Sequence, residues 1–116
     1  MQLVRYILII HLLLPTLTFA ATQVELNEQS HQEYLVADKA LNETYGRLMD
    51  SLSPNRRQKL KTAQRAWLRF RDAQAELVSS AWEGGSIRPL IHSEELKRLT
   101  EQRTRELQQQ LQNESN

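Results

Sequence analysis

The sequence has 116 residues, 15 Lys and Arg against 14 Asp and Glu, and no cysteine. A chain this short has room for one hydrophobic core, and the lack of cysteine excludes a disulfide scaffold. Three glycines and three prolines exclude collagen-like and low-complexity chains and argue against a turn-rich all-β fold.

The first 20 residues stand apart: 14 of them are apolar, against 32 of the remaining 96. Met1 to Arg5 is a short positive start, Tyr6 to Leu14 an apolar stretch interrupted by His11, and Pro15 to Ala20 a helix-breaking, small-residue exit. This is the layout of a secretory signal peptide, with Thr18 and Ala20 where signal peptidase needs small side chains. Cleavage is expected after Ala20, delivering residues 21–116 as a single domain to the periplasm or the exterior. An uncleaved membrane anchor is disfavoured, because a spanning helix needs about 20 apolar residues and this stretch contains His11 and Pro15. The remainder has 14 bases and 14 acids, so neither net charge nor compartment favours nucleic acid as a partner.

Residues 21–116 read as all-α, an antiparallel helical hairpin or three-helix bundle with two long helices, a short turn and a C-terminal helix. In the first helix Tyr34, Ala37, Leu41, Tyr45, Leu48 and Leu52 line one face at steps of three and four. Thr22 is expected as its N-cap, with Glu25 completing a capping box. Ser51-Leu52-Ser53-Pro54 breaks the pattern, and Ser53 with Pro54 opens the second helix. Its stripe is Leu60, Ala63, Trp67, Phe70, Gln74, Leu77 and Ala81, which assigns Trp67 and Phe70 to the core. Glu83-Gly84-Gly85-Ser86 ends the run, with Gly84 suited to a left-handed cap. A short turn through Ile87, Pro89, Leu90 and Ile91 follows, and Ser93 with Glu94 and Glu95 predicts the start of the third helix. Leu96, Leu99, Arg103, Leu107 and Leu111 form the last stripe, and the polar tail from Gln112 to Asn116 is expected to fray.

Charge is segregated. Residues 22–53 carry −4, residues 54–71 carry +7 with no acid, and residues 72–116 carry −3. Arg57, Lys61, Arg65 and Arg69 stack at steps of four in the basic block. They read either as charges that set pairing with the acidic helices on each side or as an anion-binding face.

Catalytic constellations are lacking. Without cysteine there is no thiol nucleophile or thiolate metal site. His92 and Glu95, one turn apart, and His31 near Glu28 make at most fragments of a carboxylate–histidine site. Glu83-Gly84-Gly85-Ser86 lacks the lysine of a phosphate loop. No enzyme activity, cofactor or metal is therefore expected. Trp67 and Arg71, one turn apart, can stack, and Trp82 beside the glycines has the look of a binding edge.

The runs Ala37-Asp38-Lys39-Ala40-Leu41-Asn42-Glu43-Thr44-Tyr45, Leu52-Ser53-Pro54 and Leu60-Lys61-Thr62-Ala63-Gln64-Arg65-Ala66-Trp67-Leu68-Arg69-Phe70-Arg71-Asp72 carry a resemblance, together with Glu83-Gly84-Gly85-Ser86-Ile87 and Leu99 to Leu107. At these residues the chain resembles the LprI-like lysozyme inhibitor family. The resemblance implies an exported, non-enzymatic helical domain whose partner is a lysozyme or another envelope protein. Family members commonly carry cysteines where this chain has Gln29 and Ser30, Ala75, and Glu94 and Glu95.

Within that reading, Arg71 and Arg103 are expected to reach acids on neighbouring helices, Tyr45 belongs to the first stripe, and Asn42 and Asp72 serve buried polar groups or helix ends. Trp82, Glu83, Gly84, Gly85, Ser86 and Arg88 are the candidate partner-binding residues, a turn that enters or covers a lysozyme cleft. The alternative is a structural or anion-binding envelope module that uses the basic face.

Overall fold

The structure, a computed structural model, describes residues 21–116; the leader assigned to residues 1–20 lies outside the described residues. Three helices follow in order: α1, Gln23–Ser51; α2, Pro54–Ser79; and α3, Arg88–Glu114. No strand occurs among the described residues, and none of their helices is long and apolar enough to cross a membrane.

Local chemistry sets the helix ends. Thr22 Oγ1 accepts from the Glu25 N–H at 3.2 Å, and Glu25 Oε2 accepts from the Thr22 N–H at 3.3 Å, the reciprocal box expected from the sequence. Leu52 and Ser53 are extended, as a residue before proline prefers, and Pro54 opens the first turn of α2. Ser53 occupies the N-cap position without a side-chain capping bond. At the other end, α2 tightens into one 3₁₀ turn, Ser80–Trp82, before Gly84 takes φ of 79°. The start expected at Ser93 is displaced. Pro89 fits the first turn, the Ile91 N–H bonds to the Ile87 carbonyl, and α3 is already helical from Arg88, leaving Ser93 buried inside it. Helix α3 also runs through Glu114, so most of the stretch expected to fray from Gln112 is helical, with Glu114 held by Arg56 at 2.6 Å.

Cross-helix bonds define the topology. Asn27 meets Ser86, Ser30 meets Leu90 and Glu33 meets Lys97, so α1 and α3 run parallel. Arg56 meets Glu114 and Gln64 meets Arg103, so α2 runs antiparallel to α3. The result is an up–down–up bundle in which α2 serves as the connection between two parallel helices. Buried Ser30, Ala37 and Thr44 recur every seven residues on α1, as do Ser93, Thr100 and Leu107 on α3. Small side chains at heptad spacing let two helix backbones approach closely, and α1 and α3 form the most extensive contact of the bundle.

Large apolar side chains gather at one end. Leu41, Leu48, Leu52, Leu60 and Leu107 form the core cluster, with Tyr45, Met49, Trp67 and Leu111 packed around it. Towards the Gly84–Gly85 turn the buried residues shrink to Ser30, Ala75, Ser79 and Ser93.

The sequence stripe on α2 needs correction. Its buried positions are Leu60, Gln64, Arg71, Ala75 and Ser79, with Trp67 half-buried, whereas Phe70 and Leu77 are 54% and 67% exposed. Beyond Trp67 the inner face continues at steps of four through polar and small residues, so the apolar pattern followed the outer side instead.

Candidate functional site

Two regions collect the residues singled out by the sequence. The first lies midway along the bundle and is built on Arg71, whose side chain is 8% exposed. Its Nη1 donates to Asp38 Oδ1 on α1 at 3.1 Å and to Thr100 Oγ1 on α3 at 3.4 Å, and its Nε donates to Asp72 Oδ1 at 3.0 Å. The guanidinium carbon sits 5.4 Å from the Tyr34 ring centre and 5.3 Å from that of Trp67, within the reach of cation–π attraction. Arg103 covers Trp67 as well, at 5.9 Å. One side chain thus joins all three helices.

Electrostatics hold this charge in place. Burial alone would lower the Arg71 pKa, but hydrogen bonds and proximity to Asp72, Tyr34 and Asp38 more than offset it, and the net shift is upward. Burial raises the Tyr34 phenol despite the neighbouring guanidinium. Arg71 therefore reaches an acid on a neighbouring helix. Arg103 does not: its carboxylate partner is Glu106 on the same helix, and across the bundle its Nε donates to Gln64 Oε1 at 3.0 Å. Asp72, though itself exposed, accepts from the buried Arg71 guanidinium, whereas exposed Asn42 meets no buried polar group and steadies Asp38 from solvent at 3.4 Å. Tyr45 sits lower, against the leucine cluster. Tyr34, Asp38, Gln64 and Thr100 were not assigned to this hub from the sequence. The signal available was the one-turn spacing of Tyr34 and Asp38, which matches that of Trp67 and Arg71 on α2.

The second region is the turn. Trp82, Glu83, Gly84, Gly85, Ser86 and Arg88 cap the end of the bundle, with Trp82 43% exposed. The loop is braced: the Gly85 N–H bonds to the Trp82 carbonyl at 2.9 Å, and the Arg88 N–H to the Gly85 carbonyl at 3.3 Å. Asn27 on α1 donates to the Ser86 carbonyl at 3.0 Å, and Arg88 pairs with Glu76 on α2. Gly84 is the one position with positive φ, 79°, among the described residues. Gly84→Ala is expected to destabilise the protein by about 1 kcal/mol, since a Cβ there is strained by the left-handed backbone. Urea unfolding followed by circular dichroism measures it, and an unchanged midpoint would show that the turn relaxes freely.

Beside the turn lies an open cleft of about 630 Å³, lined in part by Glu28, His31, Glu76, Arg88 and His92. His92 Nε2 lies 3.8 Å from Glu76 Oε2, while Glu95 bonds to Arg98, so His92 and Glu95 are turned to different partners. No cluster of three or more metal-ligating groups occurs among the described residues.

The basic face is separate from both regions. Among the described residues, Arg57, Lys61, Arg65 and Arg69 make no ion pair, whereas Arg56 pairs with Glu114 and Arg71 with Asp38 and Asp72. Arg57 instead donates to the Met49 carbonyl at the end of α1 at 3.0 Å. Charge complementarity thus acts at the two ends of the basic block and leaves its middle open to solvent.

This geometry can be set beside known proteins. An uncharacterized protein of Rhizobium meliloti (strain 1021) is 34% identical over 110 residues, spanning 84% of this chain and 79% of its own. No solved structure matches. The family profile described as "Lysozyme inhibitor LprI" matches residues 17–107. That span takes in α1, the Arg71 hub, the Gly84–Gly85 turn and most of α3, and the chain belongs to the LprI lysozyme inhibitor family.

Proposed function

We propose that this protein is an exported, non-enzymatic lysozyme inhibitor that engages its target with the turn end of the bundle. The observation that carries the reading is a braced loop at the end of the bundle with an exposed aromatic, on a chain of the lysozyme inhibitor family. Trp82 and Glu83 lie on the outside, the latter with its side chain 78% exposed, while Gly84 and Gly85 add no side chain to the tip. Preorganisation favours binding, because a loop already held by Asn27, Arg88 and its own backbone loses little freedom on docking. An exposed carboxylate such as Glu83 also suits a basic enzyme surface. On this reading residues 1–20 are a leader removed after Ala20, and residues 21–116 act as one domain in the periplasm or outside the cell.

The unpaired Arg57, Lys61, Arg65 and Arg69 favour a second reading, a module retained on anionic envelope material. One comparison separates the two. The protein is tested against a panel of lysozymes for inhibition of cell-wall hydrolysis, and on immobilised anionic envelope polymer for salt-sensitive retention. Inhibition lost in Trp82→Ala with Glu83→Ala, and kept in Lys61→Gln with Arg65→Gln and Arg69→Gln, is the expected result. Unchanged hydrolysis at micromolar protein across the panel, with retention abolished by the three glutamines, would replace the first reading with the second.

A further inference from the structure

The outward side of α2 carries a second apolar stripe that the fold leaves uncovered. Ala63, Ala66, Phe70, Ala73 and Leu77 succeed one another at steps of three, four, three and four, and all five are exposed. At roughly 100° per residue they fall within an arc of about 80°, the width of a helix-docking seam. Their alternation is that of the a and d positions of a coiled coil. We propose that a second copy of this chain docks here, α2 against α2 in antiparallel sense, about a two-fold axis passing between Arg71 and Asp72.

The seam is complementary to its own reverse. Turned about that axis, Phe70 lies opposite the second copy's Ala73 and Leu77 opposite the second copy's Ala66, and symmetry repeats both layers. Each large side chain meets a small one, so the layers fill without overlap and the helix axes can come close. Charge follows the same symmetry. Arg69, which has no acidic partner among the described residues, flanks the seam and faces the second copy's Glu76, whose side chain is 62% exposed. Glu76 holds Arg88 through one carboxylate oxygen and has His92 Nε2 3.8 Å from the other, and its exposed carboxylate leaves room for Arg69 of the second copy to approach. On the opposite flank Trp67 faces Gln74. A parallel, in-register pair would instead set Phe70 on Phe70 and Ala73 on Ala73, alternately crowded and empty, and would give Arg69 no acid. An isologous interface of this kind is the commonest route to a homodimer.

The four central layers span about 18 Å of helix, less than a standard-size interface provides, so association in the micromolar range is expected. Sedimentation equilibrium of the exported protein over micromolar concentrations should show a reversible monomer–dimer exchange. Ala66→Glu or Leu77→Glu should leave the far-ultraviolet circular dichroism of the monomer unchanged and shift the exchange at least tenfold towards monomer. The chain has no cysteine of its own, which permits a test of direction. Ala66→Cys chains mixed with Leu77→Cys chains should join through a short thiol–thiol crosslinker, whereas Ala66→Cys alone should not join to itself, its two copies lying about 16 Å apart. A protein monomeric at every concentration, a dimer indifferent to Ala66→Glu, or self-linking of Ala66→Cys would overturn the proposal. The outcome is independent of lysozyme inhibition.

Discussion

Truncating Leu107 to alanine is expected to lower the unfolding free energy by about 3 kcal/mol, within the range for fully buried leucines. Leu107 is 0% exposed and belongs to the cluster of Leu41, Leu48, Leu52 and Leu60, so its removal opens a cavity where all three helices meet. Only nine apolar side chains are buried among the described residues, and no disulfide assists them. A domain of this size has a total stability on the order of 5–10 kcal/mol, of which the loss is roughly 30–60%. The melting temperature should fall by roughly 15 °C, given about 4–8 °C per kcal/mol for small domains. Leu77→Ala is the control: at 67% exposure it should stay within about 0.5 kcal/mol of the parent in dilute solution. Equal losses from the two substitutions, measured by urea unfolding, would mean that the inner and outer faces of the bundle are wrongly assigned.

That contrast also marks how far the fold could be read from the sequence. The capping box at Thr22, the break at Ser53-Pro54, the left-handed Gly84 and the three-helix architecture follow from residues whose backbone preferences act locally. The inner face of α2 does not, because it is chosen by partners on other helices. Arg71 and Gln64 face inward to meet Asp38, Thr100 and Arg103, and two large apolar residues, Phe70 and Leu77, are left outside. Hydrophobic periodicity registers apolar residues, so a face built from a guanidinium, an amide and small side chains is invisible to it. The heptads of Ser30, Ala37 and Thr44 and of Ser93, Thr100 and Leu107 were passed over for the same reason.

The candidate site divides in the same way. The turn residues are contiguous, so the glycines revealed them at once, whereas the hub gathers residues from three helices and needed the fold. The turn end also shows how this chain manages without the cysteines that the family resemblance led one to expect near Ser30, Ala75 and Glu95. Ser30 and Ala75 are 5% and 0% exposed, and hydrogen bonds from Ser30 to Leu90 and from Asn27 to Ser86 fasten α1 to the start of α3. Close packing of small residues and cross-helix hydrogen bonds thus hold the end where the large-residue core is absent.

Arg71→Ala is expected to cost about 3 kcal/mol, and Arg71→Met markedly less, about 1 kcal/mol. The difference follows from what each change leaves behind. Asp38 and Asp72 keep side-chain exposures of 31% and 64%, so both carboxylates regain water when the guanidinium is gone and neither becomes a stranded buried charge. What alanine cannot replace is the stem and the flat group lying between Tyr34 and Trp67, with the close contact to fully buried Thr100. Methionine fills most of that volume and keeps a favourable sulfur–aromatic contact. The ordering of parent, methionine and alanine should hold across the neutral range. A raised folded pKa makes the charged form's contribution full below the unfolded value and loses it only as pH climbs through the folded one, which for a guanidinium is strongly alkaline. Urea unfolding at pH 6 and pH 8 should therefore return the same two differences, within about 0.3 kcal/mol. If methionine proves as damaging as alanine, the charge-assisted bonds to Asp38, Asp72 and Thr100, not the packing between the rings, hold the three helices at this level.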